Sequence, residues 1–354
     1  MRSILAAVAV SVAIGLTGCT KMQARDLIRE GNAHYGDGQY VEAIEAYTQA
    51  VELEPDGVTV FWNRACAAES LVLKIKDPKR LEERRKFADQ SLKDFKTWLD
   101  RLEAPEDKDQ EEYEKHRLVL LKADERCDDL LTYWLDQHNQ NPNEEPLYTR
   151  IAKQYEDCGR TKEADEWFVK RTKDFPDSPR AFVSLAIRTF DPLWPDPESG
   201  EQYNMGLDAT ERREIADKVI TSLDRATRLD PKFREAYTWR AMAYNQRSMS
   251  HPYSDDPETQ TLDEKLNVIH AREDSLKAWK QQKALCDIDQ IAECDLAKSL
   301  EQQGQCCMLP PRPISIEEQT ADNEQKALIL QEIEDAKGDA APEGDSKGKK
   351  KKRR

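Results

Sequence analysis

Apolar and small residues recur along this chain in short paired segments, each with the spacing of one helix face. In the first pair Gly31 lies before a turn, and the apolar face continues after the turn with Ala43, Tyr47 and Ala50. Apolar residues three or four positions apart predict two amphipathic helices that pack on each other. Small side chains at Gly31 and Ala43 allow the two backbones to approach closely. Pro55 ends the second helix because it has no N–H to donate.

The same pattern returns further along the chain. In residues 145–178 the corresponding positions hold Tyr148, Ile151, Ala152, Tyr155, Gly159, Ala164, Phe168 and Pro176. Another copy ends at Pro231, and the next begins at Tyr237. One helix pair cannot bury its own apolar face, so successive pairs must stack on one another. No sustained two-residue alternation of apolar residues indicates a sheet.

This repeated segment resembles the tetratricopeptide repeat, a helix pair of ~34 residues with signature positions for Trp, Leu-Gly, Tyr, Ala, Phe and Pro. The resemblance implies an all-α solenoid of about six helix pairs over residues 24–283. By spacing, the repeats lie near residues 24–57, 58–102, 111–144, 145–178, 179–233 and 234–283. The third is degenerate because its small residues are missing. We expect residues 284–337 to form C-terminal helices and a cap, and residues 338–354 to be a disordered basic tail.

Three repeats carry insertions between their two helices. A basic insertion occupies residues 73–86, and longer interruptions occupy about 190–213 and about 246–263. Insertions at equivalent points of stacked repeats emerge along one edge of a solenoid. In the last two, aromatic residues indicate either a rim beside a binding surface or a staple that holds each loop on its own repeat. The candidate rim residues are Phe190, Trp194, Tyr203 and Tyr253.

The resemblance also implies a concave surface, lined by the first helix of each pair, that binds a partner. The residues at the family's groove positions are Ile28, Asn32, Tyr35, Trp62, Asn63, Glu69, Arg150 and Lys153. Some relatives hold a peptide's terminal carboxylate with Asn, Lys and Arg side chains. Asn32 and Asn63 match two of those places, but Ile28 stands where a Lys would be, which argues against a carboxylate clamp. Trp62 either lines a groove suited to an amphipathic helix or extended peptide, or packs inside the stack while Phe61 faces outward.

The N-terminus has the composition of a secretory signal. Arg2 precedes an apolar run at residues 4–16, which is too short to span a membrane. Leu16-Thr17-Gly18-Cys19 resembles a bacterial lipobox, which implies a signal peptide at residues 1–18, a lipid on Cys19 and a short tether at residues 19–23. Thr20, and not Asp, follows the cysteine, which in such lipoproteins permits transport to the outer membrane. The alternative is an ordinary cleaved signal with an incidental cysteine.

Cysteine usage bears on the compartment. Of eight cysteines, seven remain once Cys19 is assigned to lipid, so at least one stays unpaired in a monomer. An oxidising periplasm favours disulfides among the others. Cys127 and Cys158 lie near helix ends that are neighbours in an antiparallel stack. This position predicts a disulfide between them, with a Cα separation below ~7 Å.

Four further cysteines cluster near the C-terminus, at positions 286, 294, 306 and 307. Their spacing matches no zinc motif. We expect them to close a helical hairpin, with Cys294 joined to Cys306 or Cys307. Cys66 lies in an apolar helix and is the candidate for a buried free thiol.

Composition narrows the function. The chain has 354 residues, of which 35% are charged and 38% hydrophobic, with a net charge of −15; this suits an elongated helical stack better than one globular core. Five histidines are scattered, and neither a phosphate-binding loop nor a nucleophile elbow is present. We therefore expect no enzymatic activity, no metal, no nucleic-acid partner and no cofactor beyond the N-terminal lipid.

The expected function is that of a protein scaffold. It would be lipid-anchored on the periplasmic face of a bacterial outer membrane and would assist an envelope complex of the secretin, pilus, motility or secretion type. The alternative is an accessory that binds a small apolar ligand beneath the inserted loops for a transporter. A deep enclosed cavity lined by Trp194 and Tyr253 would favour the accessory, and an open groove would favour the scaffold.

Overall fold

The computed structural model describes residues 20–290, 292 and 306–339. Every regular element in those residues is a helix. In chain order they are α1 (20–36), α2 (Tyr40–Leu53), α3 (Val58–Lys74), α4 (Leu81–Asp100), α5 (Asp107–Ala123), α6 (Cys127–Gln140), α7 (Glu145–Asp157), α8 (Thr161–Asp174), α9 (Pro179–Phe190), α10 (Ala209–Leu229), α11 (Arg234–Ser248), α12 (Leu262–Asp289) and α13 (Ile316–Asp339). Short 3-10 turns precede α4, at Pro78–Arg80, and follow α9, at Asp191–Leu193.

Helices α1–α12 follow one another along the described chain as six pairs. The chain divides into an N-terminal unit, Met1–Ala164, and a C-terminal unit, Asp165–Arg354. In the N-terminal unit consecutive helices contact each other along the series α2–α7, and in the C-terminal unit they do so along the series α9–α13. Contacts between helices that are close in sequence define an α-solenoid. The predicted all-α solenoid of about six pairs is confirmed.

Gly31 brings the first two helices together. A Cβ atom at this position would lie 2.5 Å from Cε1 of Tyr47, so only glycine leaves room for that ring. Tyr47, Ala43 and Ala50 are buried on one side of α2, and they form a core cluster with Phe61 of α3. The predicted role of the small residues at this contact is confirmed.

A proline lies six residues before an aromatic residue at the start of several pairs. In two of them the aromatic residue is a tyrosine whose hydroxyl donates a hydrogen bond to the proline carbonyl. Tyr148 bonds Pro142 at 3.2 Å, and Tyr237 bonds Pro231 at 2.9 Å. The tyrosine thus satisfies a carbonyl that the preceding helix leaves without a partner.

Where the aromatic residue is phenylalanine, an arginine replaces the missing hydroxyl. Arg101, at the end of α4, donates to the carbonyl of Pro55 and lies 4.6 Å from the ring centroid of Phe61. Arg225 of α10 donates to Pro176 at 3.1 Å and lies 5.8 Å from the ring of Phe182. The same carbonyl position is therefore satisfied in both units by two different side-chain combinations.

In the N-terminal unit one arginine ties three helices together. Arg64 of α3 forms a bidentate ion pair with Asp94 of α4, at 2.7 and 2.9 Å, and donates to Thr48 of α2 at 3.1 Å. The Asp94 side chain is only 2% exposed. Its charge therefore depends on Arg64 for compensation.

Arg240 of α11 occupies the corresponding place in the C-terminal unit. It donates to Thr227 of α10 at 3.0 Å and to Gln281 of α12 at 2.8 Å. Its acidic partner, Asp224 of α10, lies at 2.5 Å, and the side chain of Asp224 is 40% exposed. Arg240 thus joins three helices as Arg64 does, but its acidic partner, Asp224, remains in contact with water.

The predicted basic insertion at residues 73–86 is largely wrong. Helix α3 continues to Lys74, and α4 already begins at Leu81. Several of its basic residues lie on α4, where Arg84 is buried beside Asp124 and donates to Glu125 at 3.1 Å. Charged residues with acidic partners extend a helix as readily as they form a loop.

The two later interruptions are loops at residues 191–208 and 249–261. Their boundaries differ from the predicted ones because the flanking helices run further. Phe190 is the last residue of α9 and is 1% exposed, inside a core cluster that includes Leu193 and Ala216. Its predicted place on the rim is therefore wrong.

Disulfides join residues near helix ends in each unit. Cys127 and Cys158 are bonded, with Cα atoms 5.7 Å apart, inside the limit that the prediction set. Cys286 is bonded to Cys307, so the predicted option of Cys294 with Cys307 is wrong. Cys306 is also disulfide-bonded. Cys294, like Cys19, lies outside the described residues.

The ends of the described chain are helical. Residues 20–23, expected to be a tether, belong to α1. Helix α13 contacts α12, and its side chains Asp322, Lys326 and Ile329 lie on that side; Asp322 accepts from Arg272 at 3.0 Å. Residues 340–354, most of the expected tail, lie outside the described residues.

Candidate functional site

The first helices of the N-terminal unit share one partly exposed surface. Helix α3 contacts α5, and side-chain hydrogen bonds join α3 to α1. We call this surface the first-helix face and define it by Asn32, Tyr35, Asn63, Glu69 and His116. Six of the predicted groove residues lie on α1 and α3, and four of them belong to the face.

Asn32 and Asn63 form the most open part of the first-helix face. Asn32 Oδ1 accepts from the Tyr47 hydroxyl at 2.7 Å and from Asn63 Nδ2 at 3.2 Å. Burial raises the pKa of Tyr47 to about 12, so its hydroxyl stays protonated and donates. The Asn32 amide nitrogen and the Asn63 amide oxygen bond no other described residue. They offer one donor and one acceptor, the complement of a peptide group.

Tyr35 lies beside the asparagines and is 38% exposed. Its hydroxyl is 3.4 Å from Ser70 Oγ on α3, and its ring centroid is 5.4 Å from that of Tyr40. The ring is therefore supported on one side and exposed on the other. Aromatic side chains held in this way bury contact area with a small loss of conformational entropy when a partner binds.

Trp62 packs within the stack and does not stand free in a groove. Its ring centroid lies 4.4 Å from Trp98, 5.1 Å from Phe95 and 5.1 Å from His116. Phe61 is also buried, at 6% exposed, so the predicted exchange in which Phe61 faces outward is wrong. Phe61 is covered by α2, whereas the partly buried Trp62 is covered by α4 and α5, because these helices pack on adjacent sectors of α3.

Glu69 and His116 close the first-helix face at α5. His116 Nδ1 lies 2.5 Å from Glu69 Oε2. Burial raises the pKa of Glu69, and the neighbouring His116 opposes that shift. Burial, followed by the Glu69 charge, raises the pKa of the Cys66 thiol to about 12. Cys66 is free among the described residues and half-buried, and as a protonated thiol it is a poor nucleophile.

The remaining predicted groove residues lie apart from the first-helix face. Ile28 packs against the buried cluster around Tyr47. Arg150 and Lys153 lie on α7, which packs on α6; Arg150 covers the Trp134 ring at 5.3 Å, and Lys153 pairs with Asp157 at 3.5 Å. The described contacts thus do not bring Arg150 and Lys153 to the asparagines.

The aromatic residues of the inserted loops line separate cavities in the C-terminal unit. Trp194 is 47% exposed, packs on Phe190, and borders a cavity of about 450 Å³ with Met242. Tyr253 is 46% exposed and borders a different cavity of about 500 Å³. Tyr203 is half-buried, and its ring lies 4.2 Å from the guanidinium of Arg212. No single enclosure beneath both loops is formed by the described residues.

The described part of the chain has neither a metal-binding cluster nor a membrane-spanning helix. No group of three or more His, Cys, Asp or Glu side chains there is arranged to hold a metal ion. No helix among those residues has the length and apolar content needed to cross a bilayer.

A charged cavity in the C-terminal unit is the main feature that sequence analysis missed. Its side chains come from five separate segments, so no spacing in the sequence marks it.

Comparisons with known proteins identify the repeat. Residues 31–69 match the family described as TPR repeat. A comparison with curated proteins finds no match. Solved structures similar to this chain include YrrB, a TPR protein with an unusual peptide-binding site, at 11% identity and a TM-score of 0.25, with 78% of this chain and 90% of YrrB covered.

Two further solved structures resemble the chain. One is the C-terminal part of a TPR repeat-containing protein from Cytophaga hutchinsonii, at 16% identity and a TM-score of 0.30, covering 74% of this chain and 95% of that one. The other is the TPR2AB domain of yeast Sti1 in complex with pHSP90, at 18% identity and a TM-score of 0.22, covering 75% and 96%.

Proposed function

Because this chain is a tetratricopeptide-repeat protein with an open first-helix face, we propose that it is a scaffold that binds a protein partner there. The observation that supports the proposal is the Asn32 and Asn63 pair, whose free amide nitrogen and oxygen match the backbone of a bound segment. Backbone pairing of this kind is how extended peptides add to a protein surface. Tyr35 would supply the adjacent apolar contact.

The partner segment is proposed to be internal to its chain and not a free C-terminus. Ile28 packs in the core and carries no charge for a terminal carboxylate. No lysine or arginine belongs to the first-helix face, and its one histidine, His116, is already bonded to Glu69. A main-chain segment with a side chain that rests on Tyr35 fits these groups best.

We propose that the scaffold acts at a bacterial outer membrane, anchored by a lipid on Cys19 and facing the periplasm. The support is the lipobox-like Leu16-Thr17-Gly18-Cys19. Disulfides such as Cys127–Cys158 are stable in an oxidising compartment of this kind. The proposed partner belongs to an envelope complex of the secretin, pilus, motility or secretion type, and no enzymatic activity is proposed.

The alternative accessory function required one enclosed cavity lined by both inserted loops. Trp194 and Tyr253 border separate cavities, and each is almost half exposed. This arrangement gives a transporter accessory no specific support, so the scaffold is the function we retain.

Photocrosslinking tests the partner surface. A photoreactive phenylalanine at Tyr35 in the native envelope should capture a discrete protein, whereas the same residue at Val41 of α2, with 43% exposure, should not. Asn63→Ala should abolish the product at position 35 while changing stability by less than about 0.5 kcal/mol. Asn32→Ala is a poorer test because it would leave the buried Tyr47 hydroxyl without its acceptor. Equal products at both positions, or none at position 35, would count against the scaffold.

Lipidation has its own test. Mass spectrometry of the N-terminal peptide should find acyl chains on Cys19, and Cys19→Ser should release the protein from outer-membrane vesicles. An unmodified, cleaved N-terminus would remove the anchor from the proposal and leave the first-helix face untouched.

A further inference from the structure

A small charged cavity in the C-terminal unit lies outside the proposed partner surface. It has a volume of about 280 Å³ and is bordered by α10, α11, the second inserted loop, α12 and α13. Its acidic side chains are Asp217, Glu273 and Asp274. Its permanently charged basic side chains are Arg213, Arg247, Lys277 and Lys326. The basic groups therefore exceed the acidic ones by one.

The acidic groups of this cavity already have partners. Asp274 is buried, and it accepts from Arg247 at 2.6 and 2.8 Å, from His251 at 3.1 Å and from Lys277 at 3.3 Å. Asp217 lies 2.5 Å from Arg247. Neither of these two carboxylates forms an ion pair with Arg213.

Glu273, the third acidic side chain of the cavity, pairs with a lysine of α13. Lys326 of α13 donates to both of its carboxylate oxygens, each at 2.9 Å. This ion pair joins α13 to α12, and the carboxylate neutralises the charge of Lys326. Three of the four permanent cations are thereby matched with acids.

Arg213 is the cation that remains. Its guanidinium donates to the backbone oxygen of Ser250 at 2.7 Å and to Thr210 Oγ1 at 3.4 Å, and both acceptors are uncharged. It forms no ion pair with a described residue. A half-buried arginine that retains free N–H groups and an uncompensated charge is a strong binder of oxyanions.

His270 borders the same cavity without a hydrogen-bond partner of its own. Its imidazole bonds no described residue, and its ring centroid is 5.5 Å from that of His251. Burial, with a smaller contribution from Lys326, lowers the pKa of His270. The ring is therefore neutral near pH 7 and gains a donor and a charge when it is protonated.

We propose that this cavity binds a small dianionic oxyanion, such as a phosphate group or a dicarboxylate, between Arg213 and His270. The volume accommodates a ligand of that size and excludes a folded partner. One negative charge of the ligand offsets Arg213. The second is offset by a proton that His270 takes up as the ligand binds.

Proton uptake makes the affinity depend on pH. The charged and titratable groups that border the cavity with His270 are, from α10, Arg213 and Asp217; from α11, Arg247; from the inserted loop, His251; from α12, Glu273, Asp274 and Lys277; and from α13, Lys326. A bound dianion favours imidazolium, so it raises the pKa of His270 above its value in the free protein. By linkage, binding becomes tighter as the pH falls.

Calorimetry with sulfate is the most direct test, because sulfate stays dianionic across the relevant pH range. Full-length protein in a chloride background should bind sulfate about tenfold more tightly at about pH 6 than at about pH 8. Arg213→Gln should weaken binding about tenfold or more. His270→Gln, which breaks no described hydrogen bond, should bind with little dependence on pH. Lys218→Gln is the matched control, since it removes one exposed cation from α10 outside the cavity.

The sources of the oxyanion are separated by parallel titrations with inorganic phosphate and succinate. Tighter binding of phosphate assigns the cavity to phosphate groups, and tighter binding of succinate assigns it to dicarboxylates. In the imidazole NMR spectrum, the pKa of His270 should rise when the cavity is saturated.

Three results would overturn the proposal. The first is the lack of saturable binding of all three anions by folded protein at about pH 6. The second is equal weakening by Lys218→Gln and Arg213→Gln, which would indicate general attraction and not a site. The third is an unchanged pKa of His270 at saturation. None of these outcomes depends on whether the first-helix face binds a protein.

Discussion

The N-terminal and C-terminal units use the same internal ties but expose different surfaces. Each has an arginine that joins three helices, Arg64 in one and Arg240 in the other, and in each an arginine bonds a proline carbonyl beside a phenylalanine. The first helix pair of the N-terminal unit is closed by a short turn at residues 37–39, and the first-helix face is open. The C-terminal unit inserts residues 191–208 and 249–261 between helices, and these loops border cavities.

This difference shows that the contacts that hold the helices together are separate from the surfaces that are open to a ligand. The helix-to-helix contacts recur because each pair has to be held on the next, whatever the loops contain. Insertions between the two helices of a pair leave those contacts in place. The C-terminal unit could therefore gain cavities without losing the contacts between its helices. If this is right, equivalent contacts in the two units should differ in strength only where their surroundings differ.

The largest expected difference concerns the arginine ties. Arg64→Met should lower the free energy of unfolding by about 3–5 kcal/mol because it leaves Asp94 buried and unpaired. Arg240→Met should lower it by only about 1 kcal/mol because Asp224 is 40% exposed and stays hydrated. Urea denaturation of the two variants measures both values. Equal losses would mean that burial of the carboxylate does not set the strength of the tie.

The second effect isolates the close approach of α1 and α2. Gly31→Ala should destabilise the protein by about 2 kcal/mol, since its Cβ would overlap the Tyr47 ring and displace the hydroxyl from Asn32. Gly36→Ala, at the end of the same helix, meets no atom within 4 Å and should be neutral or stabilising by up to about 1 kcal/mol. Thermal unfolding of the pair provides the comparison. A loss in Gly36→Ala as large as that in Gly31→Ala would exclude the Tyr47 contact as the cause.

Local sequence predicted the features that depend on residues within one repeat. Gly31, Ala43 and Tyr47 are spaced by the helix period, so their contact follows from the pattern alone. The disulfide between Cys127 and Cys158 was also predictable, because both residues lie near the ends of helices in consecutive repeats.

The environment of Trp62 was not predictable in the same way. Trp98 and His116, which cover it, come from two later helices, and only the register of the stack brings them together. The prediction of an insertion at residues 73–86 was wrong for a different reason. Its basic residues suggested a loop, but Arg84 is held by acidic partners from the α5–α6 turn, and such long-range compensation leaves no local signal.

The third prediction concerns acid sensitivity of the C-terminal unit. In the folded protein the pKa of His270 lies below its ordinary value of 6.5, and the pKa of Asp274 lies below 3.8 because His251 and Arg247 donate to it against the effect of burial. Both groups bind protons more readily when unfolded, so stability is full at neutral pH. It falls first as the pH drops below about 6.5 and again below about 4.

Urea denaturation in chloride buffers from about pH 7 to pH 3 should show this fall, with at least about 1 kcal/mol lost by the end. His270→Gln should flatten the first part of the curve and leave the second. Asp274→Asn should be less stable at neutral pH, because Arg247 and Lys277 lose a buried charged partner, and should lack the second part. A wild-type curve that is flat between pH 7 and pH 5 would contradict the assignment to His270.

The smallest effect tests whether the two ways of bonding the proline carbonyl are interchangeable. Arg225→Ala should lower the free energy of unfolding by about 0.5–1 kcal/mol, since the partly exposed carbonyl of Pro176 loses one donor. Adding Phe182→Tyr should restore about the same amount, because a tyrosine six residues after the proline donates to the equivalent carbonyl at Tyr148 and Tyr237. Phe182→Tyr alone is the control, and it should gain little while Arg225 already occupies the carbonyl. If the double variant is no more stable than Arg225→Ala, the arginine acts by covering the Phe182 ring and the hydrogen bond contributes nothing measurable.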